Sequence, residues 1–203
     1  MCVYHSNIPI IVSTLKELET DIAKATAALQ NGDLILYPTD TIWGIGCDAT
    51  NVRAIKKVYR LKRRRESKSM IILLSRIDEI SQYVHQPSEK IINFLDKQTT
   101  PTTAIFDHAI HLPGELISED GTIAIRIVHD EFCEILIKRL RKPIVSTSAN
   151  ISGNPSPANF SLIDNVIKNG VDYIVQHRQH ELQNFQPSSI IRLNAREEIE
   201  KIR

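Results

Sequence analysis

Four groups of side chains in this sequence have the type and spacing to do chemistry on an anionic ligand. The first is the turn Tyr37-Pro-Thr-Asp-Thr-Ile-Trp-Gly-Ile-Gly46, where an apolar run stops at proline and hydroxyl, carboxylate and hydroxyl follow. Ligands of open α/β sheets bind beyond the carboxyl ends of strands, so polar groups there are well placed. Thr39, Asp40 and Thr41 could equally do no more than satisfy turn amides. The second group is a basic segment. Nine Lys and Arg residues fall between Arg53 and Lys68 against the single acid Glu66. Guanidinium forks match phosphate oxygens, so the cluster suits a triphosphate or RNA phosphates; a solvated helix face is the plain alternative. Third is Arg126 in the apolar run Thr122 to Val128. Period-two alternation puts it on one face with Thr122 and Ala124, opposite Ile123, Ile125 and Ile127. Buried there it needs an anion, which a structural carboxylate or a substrate carboxylate would supply. The fourth is Ile144-Val-Ser-Thr-Ser-Ala-Asn-Ile-Ser-Gly-Asn-Pro-Ser-Pro157, a strand running into hydroxyl, amide and glycine donors that could hold a nucleotide or simply form a turn.

Other chemistries find less support. Gly44-x-Gly46 lacks the third glycine of a dinucleotide fingerprint, and no phosphate-loop motif occurs. His108-x-x-His111 and His177-x-x-His180 have no third metal ligand in pattern and read as structural or surface residues. Cys47 has no histidine nearby and reads as a small buried apolar group.

The elements that must position these groups alternate between helical and strand periods. Thr14 with Glu17 reads as a capping box opening a helix that carries Leu15, Leu18, Ile22, Ala25 and Leu29 to Gly32. Leu34–Tyr37 reads as a strand. Asn51 caps a helix to about Arg60, with Val52, Ile55 and Tyr59 on one side. Met70–Leu74, Thr103–Phe106, Thr122–Val128, Pro143–Ser146, Tyr173–Val175 and Ser189–Leu193 read as strands, and 197–203 as a weak one. Helices are predicted after Ser75 and Ser88, from Asp130, and over Ser161–Lys168. The stretch from Asp107 to Gly121 has little pattern and is the candidate for a mobile active-site loop. Interleaved strands and helices imply an α/β sheet.

The chain as a whole sets bounds. At 203 residues, with no repeat or linker, it reads as one domain, 1–203, large enough for a core. Its 42% hydrophobic and 24% charged residues fit a globular protein. No apolar run approaches the ~20 residues that cross a bilayer, and the N-terminus lacks signal-peptide character. Cys2, Cys47 and Cys133 are odd in number and without paired spacing, implying reduced thiols and the cytoplasm. The net charge of +1 weighs mildly against a dedicated nucleic-acid binder.

Taken in order, the 37–46 turn, Lys62-x-Arg64, Ile125-Arg126, Ser148-x-Asn150 with its Ser-Gly-x-Pro-Ser-Pro157 continuation, and Pro187-Ser-Ser-Ile190 resemble the YrdC/TsaC (Sua-type) threonylcarbamoyl-AMP synthases. The resemblance runs from about Leu34 to Leu193. It implies a twisted, mixed-sheet YrdC-like domain with flanking helices and a positively charged concave face. It also implies the reaction: ATP, L-threonine and bicarbonate give threonylcarbamoyl-AMP and pyrophosphate, the first step of threonylcarbamoyladenosine formation in tRNA.

By the same resemblance, Thr41, Arg126 and Ser148 contact threonine. Lys62, Arg64, Lys68, Thr122, Asn150, Ser156 and Ser188 lie on the ATP side, with Lys62, Arg64, Ser148 and Asn150 central to catalysis. Mg2+ is implied with ATP, held mostly by its phosphates. Partners implied are the tRNA-modification proteins that take the product, with tRNA or double-stranded RNA as further ligands and no membrane. Two alternatives stand beside this: an RNA-binding protein of the same fold, and a paralogue without the activity. The sequence also departs from the family pattern. Arg63 and Arg65 stand where K-G-R-P has Gly and Pro, Ser69 replaces a proline, Leu73 a histidine, Thr102 a glycine and Ala158 a threonine.

Overall fold

A computed structural model describes residues 8–65, 70–181 and 186–203, with the backbone alone for 8–15. Cys2, Lys68 and Ser69 lie outside the described residues. Among the described residues, each apolar run marked above as a strand joins one nine-stranded sheet. The strands are β1 (Ile35–Tyr37), β2 (Gly44–Asp48), β3 (Ile71–Leu74), β4 (Thr102–Phe106), β5 (Ile123–Ile127), β6 (Ile144–Ser148), β7 (Tyr173–Ile174), β8 (Ser189–Leu193) and β9 (Ile199–Lys201). Their order is β7-β1-β2-β6-β3-β5-β4-β8-β9. β1/β7, β3/β5 and β4/β8 are parallel and the other pairs antiparallel, so the sheet is mixed.

Register assigns side chains to faces, because residues opposite each other in a ladder point the same way. Cys47, Val145, Ile72, Ile125, Ala104 and Ile191 form one such row, and all are buried. This face is covered by α2 (Val52–Lys62), α3 (Glu89–Asp96) and the turns between strands, including α5 (Asn165–Gly170), which packs on α2. On the other face, Ile35, Tyr37, Leu73 and Ile144 pack under α1 (Ile8–Gln30) and α4 (Glu131–Leu140). α1 contributes Ile22, Ala25 and Leu29 to this second core, and α4 contributes Phe132, Cys133, Leu136, Ile137 and Leu140.

Local chemistry explains the helix starts. Asn51 Oδ1 accepts from the Arg53 and Ala54 amides, and Asp130 Oδ1 from the Cys133 amide, two N-caps of the ordinary kind. Several boundaries differ from the sequence reading. α1 begins at Ile8, so Thr14 lies inside the helix rather than at its cap. Val52 is exposed, while Ile55 and Tyr59 are buried with Ala54 and Val58. Ser75 is not a cap: its hydroxyl and amide are taken by the Glu79 carboxylate, and a 3-10 turn runs over Ile77–Gln82. Ser88 precedes α3 without a side-chain cap bond. The predicted 161–168 helix is two pieces, because Ile163 turns into the core and Asp164 starts a new cap on the Val166 amide.

The 107–121 stretch, expected to be a mobile active-site loop, is anchored instead. Leu116 is fully buried, the Tyr59 hydroxyl donates to the Glu115 carbonyl at 2.8 Å, and Lys56 pairs with Glu115 at 3.1 Å. Ala109 bridges to Val84.

Candidate functional site

Along the second face the side chains change size. Gly44, Ser146 and Ser148 of β2 and β6, Ile71 of β3 and Ala124 of β5 floor a cavity of about 290 Å³. Gly44 is closely packed: an added Cβ would lie 3.2 Å from Ser146 Oγ and 3.3 Å from the Thr147 carbonyl, tight enough that they would have to give by a few tenths of an ångström. Three arginines line the cavity, Arg64, Arg126 and Arg203, with no Asp or Glu among the described lining residues. Thr41, Ser148, Ser156 and Ser188 add hydroxyls, and Trp43, packed 4.8 Å from the Phe160 ring, adds an aromatic edge.

The turn after β1 answers the question its sequence left open by doing both jobs. Thr39 Oγ1 donates to the Ile42 carbonyl at 2.9 Å and accepts from the Thr41 amide at 3.0 Å. Its proton being spent on Ile42, the 2.9 Å contact with Thr41 Oγ1 is a bond donated by Thr41. Thr41 therefore turns lone pairs toward the cavity and is suited to accept from an amine. Arg178 steadies the turn from behind, bonding the Thr39 carbonyl and Asp130.

Arg126 has a structural carboxylate after all: Asp40 Oδ1 lies 3.1 Å from its Nη2, both side chains more than nine-tenths buried. The angles are not those of a hydrogen bond. Arg126 Nε and both Asp40 oxygens are buried without hydrogen-bond partners among the described residues. A paired arginine with unspent donors at a cavity can still take a second carboxylate.

Lys62 and Arg64 diverge. α2 ends at Lys62, and Arg63 takes a left-handed conformation (φ 49°, ψ 40°) that turns the chain. Arg64 then lines the cavity half-buried, while Lys62, 1% exposed, points into the protein. Its ammonium donates to the carbonyls of Ser148 and Asn150 and, at 3.2 Å, to Asn150 Oδ1. Burial and the Arg64 charge push Lys62 down to about 7. The three acceptor oxygens around the ammonium oppose that shift by favouring the protonated form. The Ser148 hydroxyl donates to Asn150 Oδ1, and the Asn150 amide group to the Ile151 and Asn154 carbonyls.

Thr41, Arg64, Arg126, Ser148, Ser156 and Ser188 are thus brought to one cavity, with Lys62 and Asn150 directly behind it. Ser188 also meets Thr103 Oγ1 at 2.8 Å. Thr122 is placed elsewhere: it precedes β5, donates to Asp120 Oδ1 at 2.7 Å, and lines a separate cavity of about 370 Å³ with Arg192. Residues 107–121 contribute nothing to the central cavity. Arg203 was missed by sequence reading. It arrives because β9 doubles back on β8, and its guanidinium donates to the Ser188 carbonyl at 3.0 Å. Cys47 and Cys133 are buried thiols pushed upward by desolvation, inert as nucleophiles. Among the described residues no group of three His, Cys, Asp or Glu could hold a metal, and no helix is long and apolar enough to cross a membrane.

The Sua5/YciO/YrdC family model, described as "Telomere recombination", matches residues 27–203. Among curated proteins, the threonylcarbamoyl-AMP synthase of Pseudoalteromonas translucida is 29% identical, over 85% of this chain and 92% of its own length. That of Xanthomonas campestris is 30% identical over 77% and 89%. Among solved structures, P. abyssi Sua5 complexed with L-threonine superposes with a TM-score of 0.75 at 23% identity. The match covers 85% of this chain and half of that one, and carries a likeness of fold.

Proposed function

The chain belongs to the Sua5/YciO/YrdC family, and from that premise we propose that it is an L-threonylcarbamoyladenylate synthase, a nucleotidyltransferase acting on ATP, L-threonine and bicarbonate. The observation that carries this reading is the convergence of Thr41, Arg64, Arg126 and Ser148 on one small cavity. Each offers what one part of the reactants needs. Arg126 takes the amino-acid carboxylate, and the lone pairs of Thr41 take its amine. Arg64, with Arg203, meets the phosphates, and Ser148, Ser156 and Ser188 line the wall between them. Lys68, outside the described residues, belongs on the phosphate side in the same reading.

The reaction needs no enzyme nucleophile. The threonine amine condenses with bicarbonate, losing water, to give a carbamate. A carbamate oxygen then attacks the α-phosphorus, the bond to the β-phosphate oxygen breaks, and pyrophosphate leaves with the electron pair. Positioning and guanidinium charge stabilise that transfer. Among the described residues no group of His, Cys, Asp or Glu would cage Mg2+, and the ion would travel on the nucleotide phosphates and neutralise part of their charge. The mixed anhydride formed is reactive, which suits immediate transfer to tRNA by partner proteins in the same compartment, the cytoplasm.

The deciding assay is pyrophosphate release from ATP with and without L-threonine and with and without bicarbonate. Release is expected only with both. Release that ignores either co-substrate would sink this reading and leave a fold-sharing relative with other chemistry.

A further inference from the structure

Of the two basic residues in Lys62-x-Arg64, only one reaches the cavity, and of Ser148-x-Asn150 only the serine does. The remaining pair, Lys62 and Asn150, is turned away and bonded together. We infer that Lys62 is a positioning residue: its amine latches the Ser148–Asn154 loop from behind, and Arg64 and Ser148 make the ligand contacts. The inference rests on the reading of the cavity as a phosphate and threonine site.

The bonding leaves Lys62 nothing to give a phosphate. An ammonium has three N–H donors, and three oxygens surround it: the Ser148 carbonyl, the Asn150 carbonyl and Asn150 Oδ1. The loop is tied to the same residue a second time, by the Ser152 amide donating to the Lys62 carbonyl at 2.8 Å. Asn150 extends the latch in both directions. Its Oδ1 also accepts from the Ser148 hydroxyl, and its amide group donates to Ile151 and Asn154. Lys62 thereby fixes both the backbone of Ser148 and, through Asn150, the direction of its hydroxyl. Reaching into the cavity would strip the half-buried Ser148 and Asn150 carbonyls of their charged donor, which costs free energy. The left-handed turn at Arg63 separates the two roles, sending residue 62 inward and residue 64 to the ligand.

The test compares wild type with Lys62→Met and Arg64→Ala in two measurements, calorimetric binding of inorganic tripolyphosphate and amide hydrogen exchange. Lys62→Met is expected to bind tripolyphosphate within about twofold of wild type, whereas Arg64→Ala weakens it at least roughly tenfold, the worth of a charge-assisted bond. In Lys62→Met the Ser152 and Asn154 amides should exchange at least roughly tenfold faster, with β3 and β5 as protected as before. A general loss of stability would raise exchange in the strands as well, so the confined change is what marks positioning. A roughly tenfold loss of tripolyphosphate affinity in Lys62→Met, with Ser152 and Asn154 still protected, overturns the inference. Should Lys62→Met fail to fold, Asn150→Ala reads the latch from its other side. Faster loop exchange with tripolyphosphate affinity kept supports it, and unchanged loop exchange overturns it. If wild type binds no tripolyphosphate, it is the cavity reading that fails, and loop exchange alone decides the latch.

Discussion

One face of the sheet serves two ends, and β6 shows where they meet. At Ile144 the face is apolar and lies under α1 and α4, beside Tyr37, Leu73 and Phe132. Two residues on it is Ser146, and two further Ser148, both on the cavity floor beside Gly44. β5 crosses the same boundary, from Arg126 to Ala124. Nothing in the backbone distinguishes the halves, since the ladders run unbroken from one to the other. Side-chain volume does: large apolar groups recruit helices, and small or hydroxylated ones leave space that guanidinium groups border. The lesson is that one half was selected for burial and the other for what it leaves unfilled. The halves should therefore respond differently to substitution.

Arg126→Met should give the largest combined effect, because Arg126 stands on the boundary. It removes one partner of a buried ion pair and leaves Asp40 uncompensated, at a cost of about 3–5 kcal/mol in urea denaturation. Threonine-dependent pyrophosphate release should fall at least roughly 100-fold, as when a preorganised donor is lost. The double change Asp40→Leu with Arg126→Met should recover much of the stability and none of the turnover. Turnover that returns with stability would mean Arg126 belongs to the buried half alone.

Phe132→Ala tests the roofed half. Phe132, on α4, is 1% exposed in this core, and its truncation should cost about 3–5 kcal/mol, with turnover per folded molecule unchanged. A change in the threonine KM would show that the two halves are not separable.

Much of this division was legible in the sequence, and the exceptions have physical reasons. The alternation of Thr122 to Val128 put Arg126 and Ala124 on one face and the isoleucines on the other, as found, because strand periodicity is local. Asn51 and Asp130 could be named as caps for the same reason. The resemblance brought Thr41, Arg64, Arg126, Ser148 and Ser188 together across the chain, which composition and spacing alone could not do. Sheet order stayed hidden. Thr122, just before Arg126's own strand, lines another cavity, and Arg203 reaches this one through the β8–β9 pairing. Hidden too were the anchors of residues 107–121, since Tyr59 reaches Glu115 from another element. The opposite fates of Lys62 and Arg64 depend on a single backbone angle that no propensity scale reports.

That angle gives the smallest prediction and the sharpest probe of the boundary where α2 meets the cavity. Arg63 holds φ 49°, which for a residue with a Cβ costs roughly 1–2 kcal/mol. Glycine, found there in the family pattern, escapes that cost but loses roughly 0.5–1 kcal/mol through its freer unfolded chain. The balance favours Arg63→Gly by about 0.5–1 kcal/mol, read as a raised urea midpoint with an unchanged slope. Arg63 is exposed, so its charge contributes little, and Arg63→Ala separates the two causes. Alanine removes the charge while keeping the Cβ and its strain, and should leave the midpoint within a few tenths of a kcal/mol of wild type. A gain shared by both variants would point to relief of charge repulsion in the basic segment. A gain confined to glycine would identify the left-handed turn as the element that divides Lys62 from Arg64, retained here with a residue that strains it.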